Sequence, residues 1–275
     1  MLSDNSFSII SNSISAKGLA GNSSVLNGHT TLEKTPLTLS YPSFAVILPM
    51  FNEQACAASC IESIYAALKN IPAVTGIIAV NDGSTDSTLL VLESLQERIP
   101  GLIVVNREQN GGYGGANRSG FKAAEIEGFE YVLVMDADGT QDPKFISDFL
   151  PPMSKSVDFI KATRYSKYSA VIGVSFQRKF VSWVGNLLAR LMLRLPITDY
   201  TNGFRAIRTD LANQLDTHER GFAVLVEEVS KAKKLNATFA EVPYTLTARI
   251  DPGSQSKFVY STQVYKNYLR HLFHR

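Results

Sequence analysis

The sequence predicts an α/β fold with a mainly parallel sheet flanked by helices. Three observations predict it. Short apolar runs recur at 44–48, 77–80, 102–105 and 131–135, and segments with helical spacing separate them. Two of those runs end in acidic turns, Asn81-Asp-Gly-Ser-Thr-Asp86 and Asp136-Ala-Asp138. The chain has 275 residues at 45% hydrophobic content, enough for a sizeable core.

Taken in order, 44–48 is a strand that ends at Pro49, and Asn52-Glu53 opens a helix that runs to Leu68. Residues 77–80 form the second strand. Ser84 and Asp86 then offer N-caps to a helix over about 87–98. Residues 102–105 form the third strand. The run Gly111-Gly112-Tyr113-Gly114-Gly115 reads as a flexible loop before a helix over 116–126. Residues 131–135 form the fourth strand. Beyond it the alternation weakens: a strand over 157–162, helices over 176–195 and 219–235, and a strand over 239–246. Residues 1–40 are rich in Ser, Asn, Thr and Gly and read as a disordered tail. Residues 41–258 read as the folded domain and 259–275 as a basic and aromatic tail.

Net charge is only +2, so there is no overall nucleic-acid signature. Charge is nevertheless uneven. Residues 159–198 contain no Asp or Glu but carry Lys161, Arg164, Lys167, Arg178, Lys179, Arg190 and Arg194, which implies an anionic partner. Cys56 and Cys60 lie four apart on one helix, lack further ligands at zinc spacing, and read as buried thiols in a reducing compartment. No run reaches the ~18–20 apolar residues that a membrane-spanning helix needs.

Two parallel strands that both end in carboxylates bring those acids to one edge of the sheet, where open α/β sheets bind ligands. Asp136 and Asp138 supply hard oxygen donors suited to Mg²⁺ or Mn²⁺ on a diphosphate. The same string, Asp136-Ala-Asp138-Gly139-Thr140, also fits the nucleophile motif of haloacid-dehalogenase-type phosphatases. That class also needs a late acidic pair, for which the only adjacent candidate, Glu227-Glu228, lies mid-helix, and the reading leaves 81–86 unexplained. Arg164, Arg178, Arg205, Arg249 and Lys257 are isolated cations. The last two flank the turn-rich 251–256, a candidate lid over phosphates. The helix over 176–195 has apolar residues at 180, 183, 184, 187, 188, 191 and 195. It suits either the core or a membrane interface with Arg190 and Arg194 at its polar edge.

Taken together the motifs resemble the family 2 glycosyltransferases, and within them the dolichol-phosphate mannose synthase-like group. The matching pieces are Leu48-Pro-Met-Phe-Asn-Glu53, Val80-Asn-Asp-Gly-Ser-Thr-Asp86, 110–120, Met135-Asp-Ala-Asp138, Thr163-Arg-Tyr165, Thr201-Asn-Gly-Phe-Arg205 and Glu241-Val-Pro243. The resemblance implies a GT-A, Rossmann-like domain over 41–258 and a nucleotide-sugar donor. By that likeness Pro49, Phe51, Asn52, Glu53 and Asp82 contact the nucleoside. Asp136, Ala137 and Asp138 sit on the diphosphate, with Asp136 and Asp138 on Mg²⁺ or Mn²⁺. The family often has a Gln two residues after the second Asp; here that place is Thr140, and Gln141 follows as the candidate third ligand. Arg249 and Lys257 close over the donor phosphates, in a loop longer than the usual spacing. Arg164 and Arg178 hold the phosphate of a polyprenyl lipid.

The resulting expectation is an inverting, metal-dependent transfer from a nucleotide-diphosphate sugar to a polyprenyl phosphate, with Asp138, Arg164 and Arg178 in catalytic roles. The enzyme is expected to be cytoplasmic and peripheral on the membrane face. A saccharide or protein hydroxyl acceptor is the alternative; it needs a carboxylate base, for which Glu227 and Glu228 are the candidates. A non-catalytic nucleotide-sugar binder is the third reading.

Overall fold

The computed structural model describes residues 7–10, 41–174, 176–247 and 262–273; the Arg178 side chain, Arg249 and Lys257 lie outside the described residues. Four strands form the parallel heart of the sheet: β2 (Phe44–Met50), β3 (Thr75–Asp82), β4 (Leu102–Arg107) and β5 (Tyr131–Val134). They lie in the order β4-β3-β2-β5, each parallel to its neighbour. Each is an almost unbroken apolar run because both faces of the sheet are covered. Phe44, Val46 and Leu48 of β2 pack against Ile61 and Ile64 of α1 (Ala57–Leu68) and Leu92 and Leu95 of α2 (Thr88–Gln96). Ala45 and Ile47 point the other way. They meet Ala116 and Phe121 of α3 (Gly112–Glu127) and Val226 and Val229 of α7 (Val224–Lys234).

Three further strands extend the sheet beyond β5. Strand β8 (Arg205–Arg208) runs antiparallel to both β5 and β6 (Phe159–Thr163), and β9 (Phe239–Pro243) runs parallel to β6. β8 and the short α6 (Thr209–Gln214) that follows it are absent from the sequence reading. The expected strand over 239–246 is divided. Pro243 closes β9, and Thr245–Leu246 (β10) turns away to pair in parallel with Ala170–Val171 (β7). Between β5 and β6 lie a 3₁₀ segment, Pro143–Phe149, and α4 (Leu150–Ser154).

Three expectations are corrected. Phe7–Ile10 (β1) is a strand antiparallel to β4, with Phe7 opposite Arg107, where a disordered tail was expected; the rest of 1–40 lies outside the described residues. The glycine run is not a loop, because α3 begins at Gly112. Gly112 has φ +73°, and a Cβ on Gly114 would collide with the carbonyl oxygen of Glu219. Gly114 N–H donates to Arg220 O at 2.8 Å. These glycines let the 219–220 backbone lie directly on the first turn of the helix. The basic, aromatic tail contains a helix, α8 (Thr262–Phe273), which packs on α7 and on α5 (Phe176–Leu193). Its Tyr268 hydroxyl donates to Gly185 O at 2.7 Å, and Glu219 accepts from Asn267 at 2.9 Å.

Candidate active site

The strand order reverses between β2 and β5, which opens a crevice at their carboxyl ends. The loops after β2 and β3 form one wall of it. Asn52 takes a left-handed conformation, φ 53°, which its short polar side chain tolerates. Its N–H donates to Ser84 Oγ at 3.0 Å, and its Oδ1 accepts from Thr85 N–H at 2.8 Å. Glu53 N–H donates to Thr88 Oγ1 at 2.9 Å, and Gln54 N–H donates to Asp86 at 3.2 Å. Asp86 also accepts from Thr88 N–H at 3.0 Å. Partial burial alone would raise the Asp86 carboxyl, but the donors from Thr88 and Gln54 outweigh it and hold it below the ordinary carboxylate value. Pro49, Phe51 and Glu53 are half-buried along this wall and Asn52 is exposed.

Asp82 lies deeper. Its Oδ1 accepts from Arg107 Nε at 2.8 Å and from Gly111 N–H at 2.8 Å, within a pair that is almost fully buried. Burial raises this carboxyl against the pull of those donors. The structure thus places Asp82 beneath the start of α3, while Asn52 and Glu53 line the rim. The cysteines are free and buried, and Cys56 Sγ donates to Glu53 Oε2 at 3.0 Å. Burial pushes the Cys60 thiol up to about 12.

The opposite wall is the turn after β5. Ala137 is buried; Asp136 and Asp138 on either side of it are half-buried. Gln141 is buried and pairs with Asp136 twice: its Oε1 accepts from Asp136 N–H at 3.0 Å, and its Nε2 donates to Asp136 Oδ2 at 2.7 Å. Asp138 Oδ1 accepts from the Thr140 hydroxyl at 2.7 Å and from Thr140 N–H at 3.1 Å. Gln141 therefore orients Asp136, and would have to exchange that pairing before it could ligate a cation. Thr247 N–H donates to Thr140 O at 3.1 Å, so this turn is tied to the chain just ahead of 248–261. Among the described residues no three His, Cys, Asp or Glu side chains cluster as a metal site. The chemistry of the donor set still fits Mg²⁺ or Mn²⁺. Such ions bind through one or two carboxylates and complete their shell with water and phosphate oxygens.

A second group of charges meets this wall from the far half of the sheet. Arg205 and Glu228 form a fully buried bidentate pair, both contacts at 2.6 Å. Arg205 Nη1 also donates to Gly203 O at 2.8 Å and to the Tyr113 hydroxyl at 3.2 Å. Tyr113 stacks on Phe222 with ring centroids 4.6 Å apart. Gly203 lies against the acid turn: a Cβ there would stand 3.0 Å from Asp136 Oδ1 and 2.9 Å from the Tyr113 hydroxyl. Arg164 makes a bidentate pair with the buried Asp199, at 2.6 and 2.8 Å. Burial alone would raise the Asp199 carboxyl, but Arg164 beside it holds it low. Arg164 also donates to Thr201 Oγ1 at 2.8 Å and to Ser182 Oγ of α5 at 3.3 Å.

Arg164 stands out in the sequence, whereas nothing there joins Tyr113, Asp199 and Gly203 into one assembly with it. The Asn202-Gly203 turn signal ahead of Arg205 was the available clue. The two candidate bases are both committed. Glu228 is held by Arg205, and Glu227 accepts from His218 N–H at 3.0 Å and Glu219 N–H at 2.8 Å. Helix α5 buries Asn186, Ala189 and Leu193 and leaves Phe176, Phe180, Trp183, Leu187 and Leu191 exposed as one stripe. Its outer face is apolar, as the interfacial reading requires. No helix among the described residues is long and apolar enough to cross a membrane.

Comparison with solved structures shows the fold. Glucosyl-3-phosphoglycerate synthase from Mycobacterium tuberculosis, in complex with Mn²⁺, UDP and phosphoglyceric acid, superposes with a TM-score of 0.62 at 20% identity. The match covers 90% of this chain and 84% of that one. The same enzyme in complex with Mg²⁺ and UDP matches with a TM-score of 0.58. Fold and comparisons together define a glycosyltransferase of the GT-A type. Residues 45–216 match glycosyl transferase family 2, and the chain belongs to that family. It is 28% identical over 209 residues to undecaprenyl-phosphate mannosyltransferase of Micrococcus luteus, covering 74% of this chain and 83% of that protein. It is 27% identical over 208 residues to polyprenol monophosphomannose synthase of Mycolicibacterium smegmatis, covering 74% and 77%. With dolichol-phosphate mannosyltransferase of Pyrococcus furiosus it shares 28% over 233 residues, covering 83% and 62%.

Proposed function

We propose that this glycosyltransferase moves a sugar from a nucleotide-diphosphate donor to a polyprenyl phosphate, with inversion at the anomeric carbon. One observation carries the acceptor. Arg164 is seated against Ser182 of α5, and the outer face of that helix carries the exposed apolar stripe. A lipid phosphate at Arg164 has its chain beside an apolar, membrane-facing surface. The similarity to three polyprenyl-phosphate or dolichol-phosphate sugar transferases supports the same acceptor class.

In this reading Pro49, Phe51, Asn52 and Glu53 receive the nucleoside, and Asp82 braces that wall from beneath. Asp136 and Asp138 would hold Mg²⁺ or Mn²⁺, which would supply positive charge to the departing diphosphate. Arg164 and Arg178 orient the acceptor phosphate, and Arg249 and Lys257 cover the donor phosphates. A non-bridging oxygen of the acceptor forms a bond to C1 from the face opposite the diphosphate. The C1–O bond breaks, and its electron pair leaves with the diphosphate. The acceptor phosphate is already ionised at neutral pH, so no general base is needed. Catalysis rests on positioning and charge. The commitment of Glu227 and Glu228 to other partners accords with this. The enzyme works peripherally on the cytoplasmic face of the membrane, through α5 and α8.

The test is label transfer from a panel of nucleotide sugars to short polyprenyl phosphate in vesicles, with Mg²⁺ or Mn²⁺ and with chelator. Metal-dependent labelled lipid is expected from one donor, with enzyme sedimenting with the vesicles. Asp138→Ala should lower transfer by at least ~10²-fold, the scale of losing one electrostatic stabiliser, with an unchanged thermal midpoint. Full turnover in that variant removes the metal role. Donor hydrolysis without labelled lipid removes the acceptor.

A further inference from the structure

Strand β6 is buried along its whole length, and its central residue is a lysine. Lys161 is fully buried, and no carboxylate lies within ion-pair distance among the described residues. Among the described residues its Nζ makes one hydrogen bond, to Asn202 O at 2.5 Å. Burial is the main reason its ammonium is pushed down to about 7; Arg205 and Arg164 lower it further, and Asp199 and Glu228 oppose them. An aliphatic side chain would fill the same place without that cost.

The register shows what the lysine does there. Lys161 stands opposite Arg205 on β8 and opposite Glu241 on β9. Directly opposed residues share a face of the sheet, so the three form a row across it. Each member of the row grips the same turn. Glu241 accepts from Thr198 N–H at 2.5 Å and Asp199 N–H at 2.9 Å. Lys161 holds the carbonyl of Asn202, and Arg205 holds the next carbonyl, Gly203, at 2.8 Å. Two successive carbonyls held by two donors fix the peptides on either side of the Gly203 Cα. Gly203 is so close to Asp136 that a Cβ on it would stand 3.0 Å from the carboxylate Oδ1. The other end of the turn carries Asp199, which holds Arg164.

We propose that Lys161 is a positioning residue for sugar transfer: with Arg205 it clamps the two peptides that flank Gly203, and so sets Asp136 and the Asp199–Arg164 pair in fixed relation across one turn. The inference rests on Asp136 and Arg164 serving the reaction as described above. It does not depend on which sugar is moved.

The test compares wild type with Lys161→Met, which keeps bulk and removes the donor, and Lys161→Gln, which keeps an N–H donor. Rates are measured on the acceptor that the wild type uses. A wrong acceptor therefore shows in the wild type, and a wrong role for Lys161 shows only in the variants. For Lys161→Met we expect kcat to fall ~10–100-fold, the usual cost of losing a group that orients a ligand, with donor KM within ~2-fold. Lys161→Gln should regain part of that loss. Independently of activity, amide exchange at residue 136 and across 199–204 should quicken in Lys161→Met while the thermal midpoint stays above the assay temperature. The proposal is overturned by unchanged kcat, by unchanged exchange in that turn, or by equal losses in both variants that follow their thermal midpoints. Failure of both variants to fold overturns it too, since Lys161 would then serve the core alone.

Discussion

At the ends of β3 and β5 the carboxylates of Asp86, Asp136 and Asp138 are half-buried and accept hydrogen bonds from Thr88, Gln54, Gln141 and Thr140. Across the crevice, on β6, β8 and the turn between 198 and 204, the charges are buried and mostly held by opposite charges, Arg205 by Glu228 and Arg164 by Asp199. The two regions seat their acids differently. On the first side amides and hydroxyls orient half-buried acids. An acid spent on a buried guanidinium is part of the scaffold, and what it contributes is the bearing of its arginine.

The sharpest way to break this contrast is Glu228→Gln. It leaves the Arg205 guanidinium buried without its counter-charge, and should destabilise the fold by ~3–5 kcal/mol, read by urea unfolding. A loss under ~1 kcal/mol would mean the pair is not part of the scaffold.

Arg164→Gln should act on both sides of the comparison. It leaves Asp199 uncompensated, and it removes a cation from the proposed acceptor phosphate. A charge-assisted hydrogen bond is worth ~1.5–3 kcal/mol, so KM for polyprenyl phosphate should rise ~10–100-fold while donor KM holds. Equal changes in both constants would place Arg164 in the scaffold alone.

The smallest effect belongs to the donor wall. Asp86→Ala removes a cap and the tie to Gln54, and should cost ~1 kcal/mol. The Asp86 carboxyl is held below its unfolded value, so its contribution is present above about pH 4 and is lost as pH falls through the folded value. The gap in thermal midpoint between wild type and variant should therefore close in acid. A gap that persists to pH 2 would assign the effect to packing.

The same division governs how much of the molecule could be read from its sequence. The parallel strands were legible because burial on both faces leaves continuous apolar runs, and the acid turns because they follow those runs directly. Strand β8 was not legible. Arg205-Ala-Ile-Arg208 has two apolar residues between charges, and its first arginine looks like surface until Glu228 is brought to it from another helix. Lys161 is hidden for the same reason. The glycines of α3 read as a loop because the backbone that requires them, 219–220, lies far along the chain. Local patterns report burial against the sheet. They do not report which distant charge or carbonyl a residue meets.

Strand β1 is only four residues long, yet it pairs with the outer edge of β4. On its inner side β4 is bonded to β3. A chain shortened to begin at Tyr41 would leave Val104 and Val105 on a bare edge with unpaired N–H and C=O groups, a template for strand addition by another molecule. Phe7–Ile10 thus cover an edge of the sheet that lies away from the crevice at the carboxyl ends of β2 and β5. A fragment that starts at Tyr41 is therefore expected to self-associate more than the full chain, which light scattering at matched concentration would show.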